Sequence, residues 1–275
     1  MWICPACQSP LTLAESTYSC SHGHTFDRAK EGYVNLLLAH HKRSKEPGDN
    51  KDMVNARRAF LQQDHYQPLA LHLAQLIGKY HVGRELALFD VGCGEGYYLN
   101  CIIVALLGAG DVRITSGALD ISKIAVQKAA KKYPDSHFAV ASSFNLPVAS
   151  DSQQAMIQIF APSSEDEIYR VLAQEGIWIQ VNPAAEHLQQ LKKCIYDAPA
   201  EHKAMAPVPD GFHVLHDSEL NFEFVLNSPQ MRLNLLMMTP YYWTAPKDKV
   251  EVILATLKRV KAHFSVRVLQ KVTPG

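Results

Sequence analysis

The sequence lacks an apolar run long enough to span a membrane, an excess of charge of either sign, and the dense cysteine pattern of a disulfide-bonded secreted domain. Its 275 residues include 27 Lys and Arg against 27 Asp and Glu, so the formal net charge at pH 7 is zero. This balance argues against a uniformly basic surface for nucleic acid. Because the N-terminus does not follow a signal-peptide pattern either, we expect a cytoplasmic protein with no membrane partner.

The sequence also lacks Gly-x-x-x-x-Gly-Lys-Ser/Thr, which argues against a nucleoside triphosphate as ligand. It has instead a short apolar run that Asp90 interrupts, then Gly92, Gly94 and Gly96, then an apolar segment of helical pattern over residues 97–107. A strand, a glycine turn and a helix N-terminus form the ligand-binding corner of an open parallel sheet. The stretch therefore predicts a site for an adenosine-containing cofactor.

Two features favour S-adenosylmethionine over a dinucleotide. The glycine spacing is Gly-x-Gly-x-Gly rather than Gly-x-Gly-x-x-Gly, and Asp120 ends the next predicted strand, residues 112–119, where a carboxylate can accept both ribose hydroxyls. Glu95 would repel a pyrophosphate, whereas S-adenosylmethionine presents a sulfonium and an amino group. On these residues alone, a packing turn that binds no ligand remains the alternative.

Beyond Asp120, predicted strands and helices alternate, which is typical of an α/β, doubly wound, Rossmann-like sheet. Ligands of such sheets bind beyond the carboxyl ends of the strands. The predicted lining of the site is Gly92 to Gly96, Asp120, Ser142, Ser143, Phe160, Ala161, Pro162 and His187, the last placed on a helix that follows Pro183.

Predictions for the C-terminal third are coarser. They are a loop over residues 196–217, a strand over 222–226, a helix over 230–238, a helix over 250–261 and an antiparallel edge strand over 264–268.

The N-terminal segment carries the strongest metal signal in the chain. Cys4 and Cys7 form a Cys-x-x-Cys pair, and Cys20 and His24 complete a Cys3His set with the spacing of a closed structural zinc site. His22 is a rival fourth ligand, although Cys-x-His is a cramped spacing. A redox Cys-x-x-Cys is the other alternative, and it leaves Cys20 unexplained.

A connector separates this segment from the predicted sheet. Residues 39–51 are basic and rich in helix breakers, which predicts a loop, and the helical pattern of 53–61 leaves Arg57 and Arg58 near solvent. Such a surface suits phosphate contacts, and an ordinary solvated helix face is the alternative. We therefore divide the chain into a zinc-binding module (1–37), a basic loop and helical connector (38–84) and a methyltransferase domain (85–275).

Several motifs occur in a characteristic order. They are Lys-Glu-Gly-Tyr-Val-Asn-Leu-Leu (30–37), Ala-Arg-Arg-Ala-Phe-Leu (56–61), Asp-Val-Gly-Cys-Gly-Glu-Gly-Tyr-Tyr (90–98), Leu-Asp-Ile-Ser (119–122) and Met-Thr-Pro-Tyr (238–241). Together with the Cys3His knuckle, they closely resemble the bacterial large-subunit (23S) ribosomal RNA guanine-N1 methyltransferases. The resemblance covers nearly the whole chain and is densest over residues 4–147.

The resemblance implies a class I methyltransferase sheet, methylation of N1 of a guanine in a ribosomal RNA hairpin loop, structural zinc, and a homodimer that frames the RNA cleft. It implies that Tyr66, Gly94, Glu95 and His187 contact S-adenosylmethionine. With the residues of the predicted strand ends, the candidate cofactor-binding set is Tyr66, Asp90, Gly92, Gly94, Glu95, Gly96, Asp120, Ser142 and His187. A related branch of the family modifies a neighbouring guanine, and the sequence does not distinguish the two targets.

The sequence departs from the resemblance in two places. No glycine precedes His187, and the segment 108–116 looks enlarged. The catalytic base is not implied by the resemblance. Glu165, Asp166 and Glu167 are candidates because they follow the Phe-Ala-Pro turn, and an ordinary charged helix face is the alternative.

Two other functions are compatible with the bare fold. One is a small-molecule S-adenosylmethionine methyltransferase, which would turn over without RNA and gives no role to the zinc module. The other is a zinc-bearing RNA-binding protein that keeps a cofactor pocket without catalysis.

Overall fold

A computed structural model describes residues 1–39 and 48–272, so most of the predicted basic loop lies outside the described residues. Within them the chain forms a small three-stranded sheet and a large eight-stranded sheet. The strands are β1 (Thr12–Ala14), β2 (Thr17–Ser19), β3 (Thr25–Asp27), β4 (Val34–Asn35), β5 (Glu85–Val91), β6 (Arg113–Asp120), β7 (His137–Val140), β8 (Gln153–Ile159), β9 (Leu172–Pro183), β10 (Phe212–Val225) and β11 (Arg259–Lys271). The helices are α1 (Lys51–Leu61), α2 (Gln67–Tyr80), α3 (Tyr97–Ala109), α4 (Lys123–Lys132), α5 (Glu165–Val171), α6 (Gln189–Ile195), α7 (Pro229–Met237), α8 (Lys247–Thr256) and a 3-10 helix, Pro240–Trp243.

The large sheet has the order β10-β11-β9-β8-β5-β6-β7-β4. From β9 to β4 all neighbours are parallel, and β11 and β10 extend the sheet beyond β9 as antiparallel strands. The chain order reverses at β5, because β6 continues to one side of it and β8 to the other. The predicted doubly wound α/β fold is confirmed, and the reversal marks where such sheets bind ligands.

The large sheet buries both of its faces. Successive side chains of a strand point to opposite faces, so Leu88 joins one apolar core with α2 and α3, while Phe89 joins a second core on the other face. The N-terminal segment covers part of that second face: the Trp2 ring lies 6.0 Å from the Phe89 ring, and Ile3 N donates to Pro147 O at 3.0 Å. The zinc-binding module thus occupies a position that a helix layer commonly takes in α/β folds.

The connector is part of the main core. Asn50 caps α1, because its side chain accepts hydrogen bonds from two backbone N–H groups of the first turn. α1 then buries Val54, Ala56, Phe60 and Leu61. The predicted zinc-binding module, residues 1–37, also contributes a strand to the large sheet. β4 ends two residues before the predicted boundary at residue 37 and pairs with β7. The division into three units remains a prediction.

The C-terminal third differs most from the predictions. β10 begins at Phe212, inside the predicted loop, and α8 ends at Thr256, five residues before the predicted helix end. The predicted edge strand, residues 264–268, is the middle of β11, which lies between β10 and β9. Most residues of β10 are at least partly exposed and its N-terminal half is polar, so the local sequence indicates a loop where the structure has a strand.

Two smaller corrections concern helices. α3 continues through Gly108, which was predicted to end it, and His187 precedes α6 rather than lying within it. Among residues 1–39 and 48–272, no helix has the length and apolar character needed to cross a membrane.

Candidate cofactor cavity and metal centre

A cavity of about 540 Å³ opens at the carboxyl ends of β5, β6, β7 and β8, where the strand order reverses. Most of the residues predicted from the sequence to bind the cofactor or to line its site lie in its wall. They are Tyr66, Asp90, Gly92, Gly94, Glu95, Asp120, Ser142, Ser143, Phe160, Ala161, Pro162 and His187.

The glycine turn forms one wall of the cavity, and each glycine has its own reason. Gly92 has φ +84°, and a Cβ there would lie 2.3 Å from the Ala161 Cβ. A larger residue would therefore push the glycine turn away from the turn after β8 that contains Ala161. Gly94 has φ +55° and no atom within 4 Å of its Cβ position, which leaves its surface open to a ligand. Gly96 does not line the cavity: it packs against Tyr133 under the turn.

Asp120 holds the turn from the neighbouring strand end. Its two carboxylate oxygens accept hydrogen bonds from Gly94 N at 2.9 Å and from Ser122 N at 2.8 Å. Burial raises the pKa of this carboxyl, although these two backbone donors act in the opposite direction. Each carboxylate oxygen can accept a second hydrogen bond, so Asp120 can still receive ribose hydroxyls.

Two buried acids of the cavity wall have unsatisfied oxygens. Asp90 Oδ1 and both carboxylate oxygens of Glu95 are buried without a hydrogen-bond partner among the described residues. Among residues 1–39 and 48–272, the cation nearest to Glu95 is the Arg58 Nε, at 3.8 Å. Burial and then Asp120 raise the pKa of Asp90 to about 8, and burial raises the pKa of Glu95 despite the nearby Lys and Arg side chains. A cationic group of a ligand would offset the free-energy cost of burying each of these two carboxylates.

The two arginines of α1 turn inward, which corrects the prediction that they stand near solvent. Arg57 pairs with Asp49 and donates to Met238 O at 3.2 Å, and Arg58 approaches Glu95. Both side chains are about 31% exposed. Arg57 turns toward Asp49 and Arg58 toward the buried Glu95 of the glycine turn, and no local pattern in α1 reveals either partner.

His187 is held as a neutral hydrogen-bond donor. Its Nδ1 accepts from the backbone N–H of His263 at 3.2 Å, so the ring proton resides on Nε2. Burial first, and then the neighbouring His202, lowers the pKa of His187 to about 3. The imidazole therefore carries no charge at neutral pH and cannot accept a proton at Nδ1.

Tyr66 closes the cavity beneath His187. Its ring packs edge-on against Phe60 and Phe264, at 5.2 and 5.3 Å between centroids, and its hydroxyl is buried without a partner among the described residues. Burial raises the pKa of this hydroxyl, so it remains protonated. It is available to donate to a bound ligand.

Glu165, Asp166 and Glu167 do not line the cavity. They occupy the first turn of α5, where acidic side chains complement the helix dipole. The Glu167 carboxylate accepts from Arg170 and from Leu146 N at 2.6 Å. This helix-end role accounts for the acidic cluster without catalysis.

The cavity also has lining residues that sequence reasoning missed. They are contributed by the segment before α1, by α3, by the segment between α6 and β10 and by the chain after α7, which are distant in sequence. They include Gly48, Asp49, Tyr98, His202, Met238, Thr239 and Tyr241. The Met-Thr-Pro-Tyr motif was the available signal for the last of these.

The predicted metal ligands lie together in the N-terminal module. The ligand atoms of Cys4, Cys7, Cys20 and His24 are within 4.8 Å of one another. Cys7 Sγ is 3.7 Å from Cys20 Sγ, and His24 Nδ1 is 3.6 Å from Cys4 Sγ and 3.5 Å from Cys20 Sγ. A tetrahedral zinc ion would place such atoms about 3.8 Å apart for two sulfurs and about 3.6 Å apart for sulfur and nitrogen. The donor set therefore fits a closed zinc site.

The rival ligand, His22, lies outside this group. Its Nδ1 contacts the hydroxyls of Ser9 at 3.1 Å and Ser21 at 3.4 Å. The pKa of Cys7 is lowered to about 6, first by the Ser9 backbone hydrogen bond, which favours the thiolate that zinc requires. Because three sulfurs and one nitrogen fill a tetrahedron, the centre offers no open position for catalysis.

Known proteins contain counterparts of both parts of the molecule. Residues 2–45 match a family model described as the N-terminal zinc ribbon of RlmA. The Bacillus subtilis (strain 168) protein YxjB, which bears the name of a 23S rRNA (guanine-N1)-methyltransferase, is 32% identical over 264 residues, or 92% of this chain and 90% of YxjB. The chain belongs to the 23S rRNA guanine-N1-methyltransferase family.

Other relatives agree with this membership. A Streptomyces fradiae protein named 23S rRNA (guanine(748)-N1)-methyltransferase is 36% identical over 190 residues, or 68% of this chain and 65% of that protein. A Micromonospora griseorubida protein with a 23S rRNA guanine-N1-methyltransferase name is 34% identical over 206 residues, or 68% of this chain and 67% of its own length. Among solved structures, the YcgJ protein from Bacillus subtilis has a TM-score of 0.46 at 14% identity, covering 75% of this chain and 98% of YcgJ, which is too distant to inform the site of this family member.

Proposed function

We propose that this protein transfers a methyl group from S-adenosylmethionine to N1 of a guanine in a hairpin loop of large-subunit ribosomal RNA. The observation that carries the proposal is the 32% identity, over 264 residues, to a relative with the name of such an enzyme. The cavity at the strand-order reversal and the zinc module packed on the same sheet support it.

S-adenosylmethionine would supply a methyl group on a positively charged sulfur, next to an amino group. The unsatisfied carboxylates of Asp90 and Glu95 suit these cationic groups, and the open surface of Gly94 allows backbone contact. Asp120 suits the ribose hydroxyls, and Tyr66 is a buried hydroxyl donor for the same ligand. Ser142 lines the cavity at the end of β7, next to the strand that Asp120 ends. Gly96 would act indirectly, by allowing the turn to pack on Tyr133.

The guanine acceptor makes two demands on the protein. N1 lies on the base-pairing edge and carries a proton at neutral pH, so the base must be unpaired, enter the cavity and lose that proton. His187 can donate from Nε2 to an oxygen of either ligand, but it is not the proton acceptor, because Nδ1 is already used. We assign proton acceptance to one of the carboxylates that line the cavity, which belong to Asp49, Asp90, Glu95 and Asp120. Glu165, Asp166 and Glu167 lie outside the cavity and do not take this role.

We further propose that Cys4, Cys7, Cys20 and His24 bind structural zinc, and that two copies of the chain form the RNA cleft. The zinc proposal is supported by the donor distances. The homodimer rests on the family resemblance, and light scattering after size-exclusion chromatography tests it. A complex with the mass of one chain and one RNA hairpin would contradict the homodimer.

Primer extension tests the proposed reaction. Unmodified large-subunit ribosomal RNA is incubated with the protein and S-adenosylmethionine, and reverse transcriptase then stops one nucleotide before a guanine methylated on its pairing edge. We expect a new stop in a hairpin loop with the wild-type protein and none when the cofactor is omitted. Wild-type protein that binds the cofactor and yet gives no stop would contradict the proposal.

A further inference from the structure

We propose that Phe160 is the platform on which the extruded guanine stacks, and that it thereby determines which bases the cavity accepts. This inference rests on the proposed function and deepens it by naming a target-side residue. It is carried by the backbone, the exposure and the surroundings of Phe160.

The backbone of Phe160 has a conformation that is strained for a phenylalanine. Its φ is +56°, in the left-handed region that side chains other than glycine rarely adopt. Seven described residues other than glycine share this conformation, and five of them are polar residues: Gln8, Glu15, Asp64, Asp151 and Glu175. The two apolar ones, Phe160 and Leu188, both line the cavity. Both apolar residues with this conformation therefore lie at the cavity, which favours a functional reason for the conformation of Phe160.

The ring of Phe160 has one supported side and one open side. It packs against the fully buried Phe264 ring at 5.4 Å between centroids and 35° between planes, and against His187 at 6.3 Å and 37°. Nevertheless Phe160 is 41% exposed and lines the cavity. A large aromatic surface is thus presented to the cavity from a firm support, which is an arrangement that favours stacking with a flat base.

The turn that presents the ring is rigid and lies beside the glycine turn. Phe160 N donates to Val181 O at 3.0 Å, and the Gln158 amide donates to Ala161 O. Ala161 leaves no room for a Cβ at Gly92. A base stacked on Phe160 would therefore lie next to a ligand that is bound on the glycine turn, as methyl transfer requires.

The topology separates this position from the adenosine side of the cavity. Asp120, the ribose acceptor, ends β6, and the second exposed phenylalanine of the cavity, Phe144, follows the adjacent β7 and is 55% exposed. Phe160 follows β8, on the other side of β5. Phe144 is accordingly the matched aromatic on the cofactor side, and Phe160 the aromatic on the target side.

The test compares Phe160→Leu, which keeps the apolar contact with Phe264, with Phe160→Trp, which keeps an aromatic face, and with Phe144→Leu. Three quantities are measured: turnover on the hairpin RNA, the dissociation constant of S-adenosylmethionine by calorimetry, and the fluorescence of a hairpin in which 2-aminopurine replaces the guanine that wild-type protein methylates. The fluorescence is read with S-adenosylhomocysteine bound. A base that is extruded but unstacked is brighter than one stacked on a ring.

We expect Phe160→Leu to lower turnover by about 5- to 150-fold, the equivalent of one base-aromatic stack. Its cofactor dissociation constant should stay within about twofold of wild type, its 2-aminopurine complex should be brighter, and Phe160→Trp should recover most of the turnover. Phe144→Leu should instead weaken cofactor binding and leave the fluorescence unchanged.

Two results would overturn the inference alone: wild-type turnover and fluorescence in Phe160→Leu, or a loss of cofactor affinity that accounts for its lost turnover. Failure of the wild-type protein to methylate any ribosomal RNA would overturn both this inference and the proposed function, so the two failures are distinguishable.

Discussion

In the metal centre, four donor atoms lie within 4.8 Å of one another, whereas in the cavity the buried oxygens of Asp90 and Glu95 have no hydrogen-bond partner among the described residues. The first set converges on one point and fits a single ion with no coordination position left open. The second set is spread along a wall of a cavity of about 540 Å³ and suits a ligand larger than a single ion. This difference separates a site that stabilises the fold from a site that carries chemistry.

The two sites are joined through the sheet. Trp2, two residues before the zinc-ligand candidate Cys4, packs on Phe89, and Phe89 immediately precedes the unsatisfied Asp90. The metal centre therefore supports the strand from which the cavity is built. Substitutions at the two sites should therefore separate the stability of the fold from ligand binding.

Loss of one zinc ligand should produce the largest change. Cys20→Ser should abolish tight zinc binding and unfold the N-terminal module, because zinc coupled to folding supplies about 10–16 kcal/mol. Exposure of Trp2 should shift the tryptophan fluorescence, and calorimetry should show a lower melting temperature. Cys194→Ser on α6, away from the cluster, is the control and should keep one zinc per chain. Full zinc content in Cys20→Ser, measured by mass spectrometry of the metal, would contradict the ligand assignment.

Gly92→Ala should affect the cavity rather than the metal. The new Cβ would lie 2.3 Å from the Ala161 Cβ at a φ of +84°, so the two turns must move apart. We expect cofactor affinity to fall by about 100-fold, as for a displacement of about 1 Å at a positioned site. Gly108→Ala is the matched control: its Cβ meets no atom within 4 Å in α3, so it should stabilise the protein by about 0.5–1 kcal/mol. Equal cofactor affinity in the two variants would refute this account of the turn.

Asp90 predicts a pH dependence of cofactor binding. Its pKa is raised from 3.8 to about 8, so the free protein holds the carboxyl protonated at pH 7. A cationic ligand favours the carboxylate, so binding should release a proton near pH 7, and affinity should rise as the pH increases toward 8. The stability of the ligand-free protein has the opposite pH dependence. Because burial raises the pKa of Asp90, the free energy of unfolding falls as the pH rises from about 4 to about 8.

Calorimetry in buffers of different ionisation enthalpy measures this proton release. Asp90→Asn should abolish both the release and the pH dependence, whereas Asp111→Asn, a fully exposed acid, should retain them. Undiminished proton release in Asp90→Asn would assign the titration to another group.

The smallest expected effect concerns the strain at Phe160. Phe160→Gly should be more stable than Phe160→Ala by about 1 kcal/mol, because only glycine adopts the left-handed region without cost. At Phe144, which does not have a positive φ, the order should reverse, with Ala more stable than Gly. Urea unfolding of the four variants measures both differences. The same order at both positions would show that Phe160 is not strained.

Local signals made the first half of the molecule predictable. The apolar run of β5, the glycine turn and the Cys3His spacing each lie within a few residues, and each demands one geometry. The ends of β6, β7 and β8 then followed from the alternation of strands and helices, and with them Asp120, Ser142 and Phe160.

The rest depends on contacts between distant segments. Asp49 reaches the cavity because its segment is held by Ser122, whose hydroxyl donates to Asp49 O at 3.0 Å, and Arg57 turns inward because Asp49 is there. Neither contact leaves a periodic trace in the sequence. The predicted strands over residues 222–226 and 264–268 cover only part of the β10–β11 pair for a different reason: the pairing extends over residues 212–225 and 259–271, and contacts between distant strands of this kind set the extent of a strand more than its local sequence does.

The most direct measurement of the central claim is nucleoside analysis of the product. Unmodified large-subunit ribosomal RNA is incubated with the protein and S-adenosylmethionine that carries a labelled methyl group, then digested to nucleosides for mass spectrometry. We predict that the label appears in 1-methylguanosine, at close to one per RNA molecule, and that Gly92→Ala lowers its yield at a cofactor concentration near the wild-type dissociation constant. Label in another nucleoside, or in none while the cofactor is bound, would contradict the account.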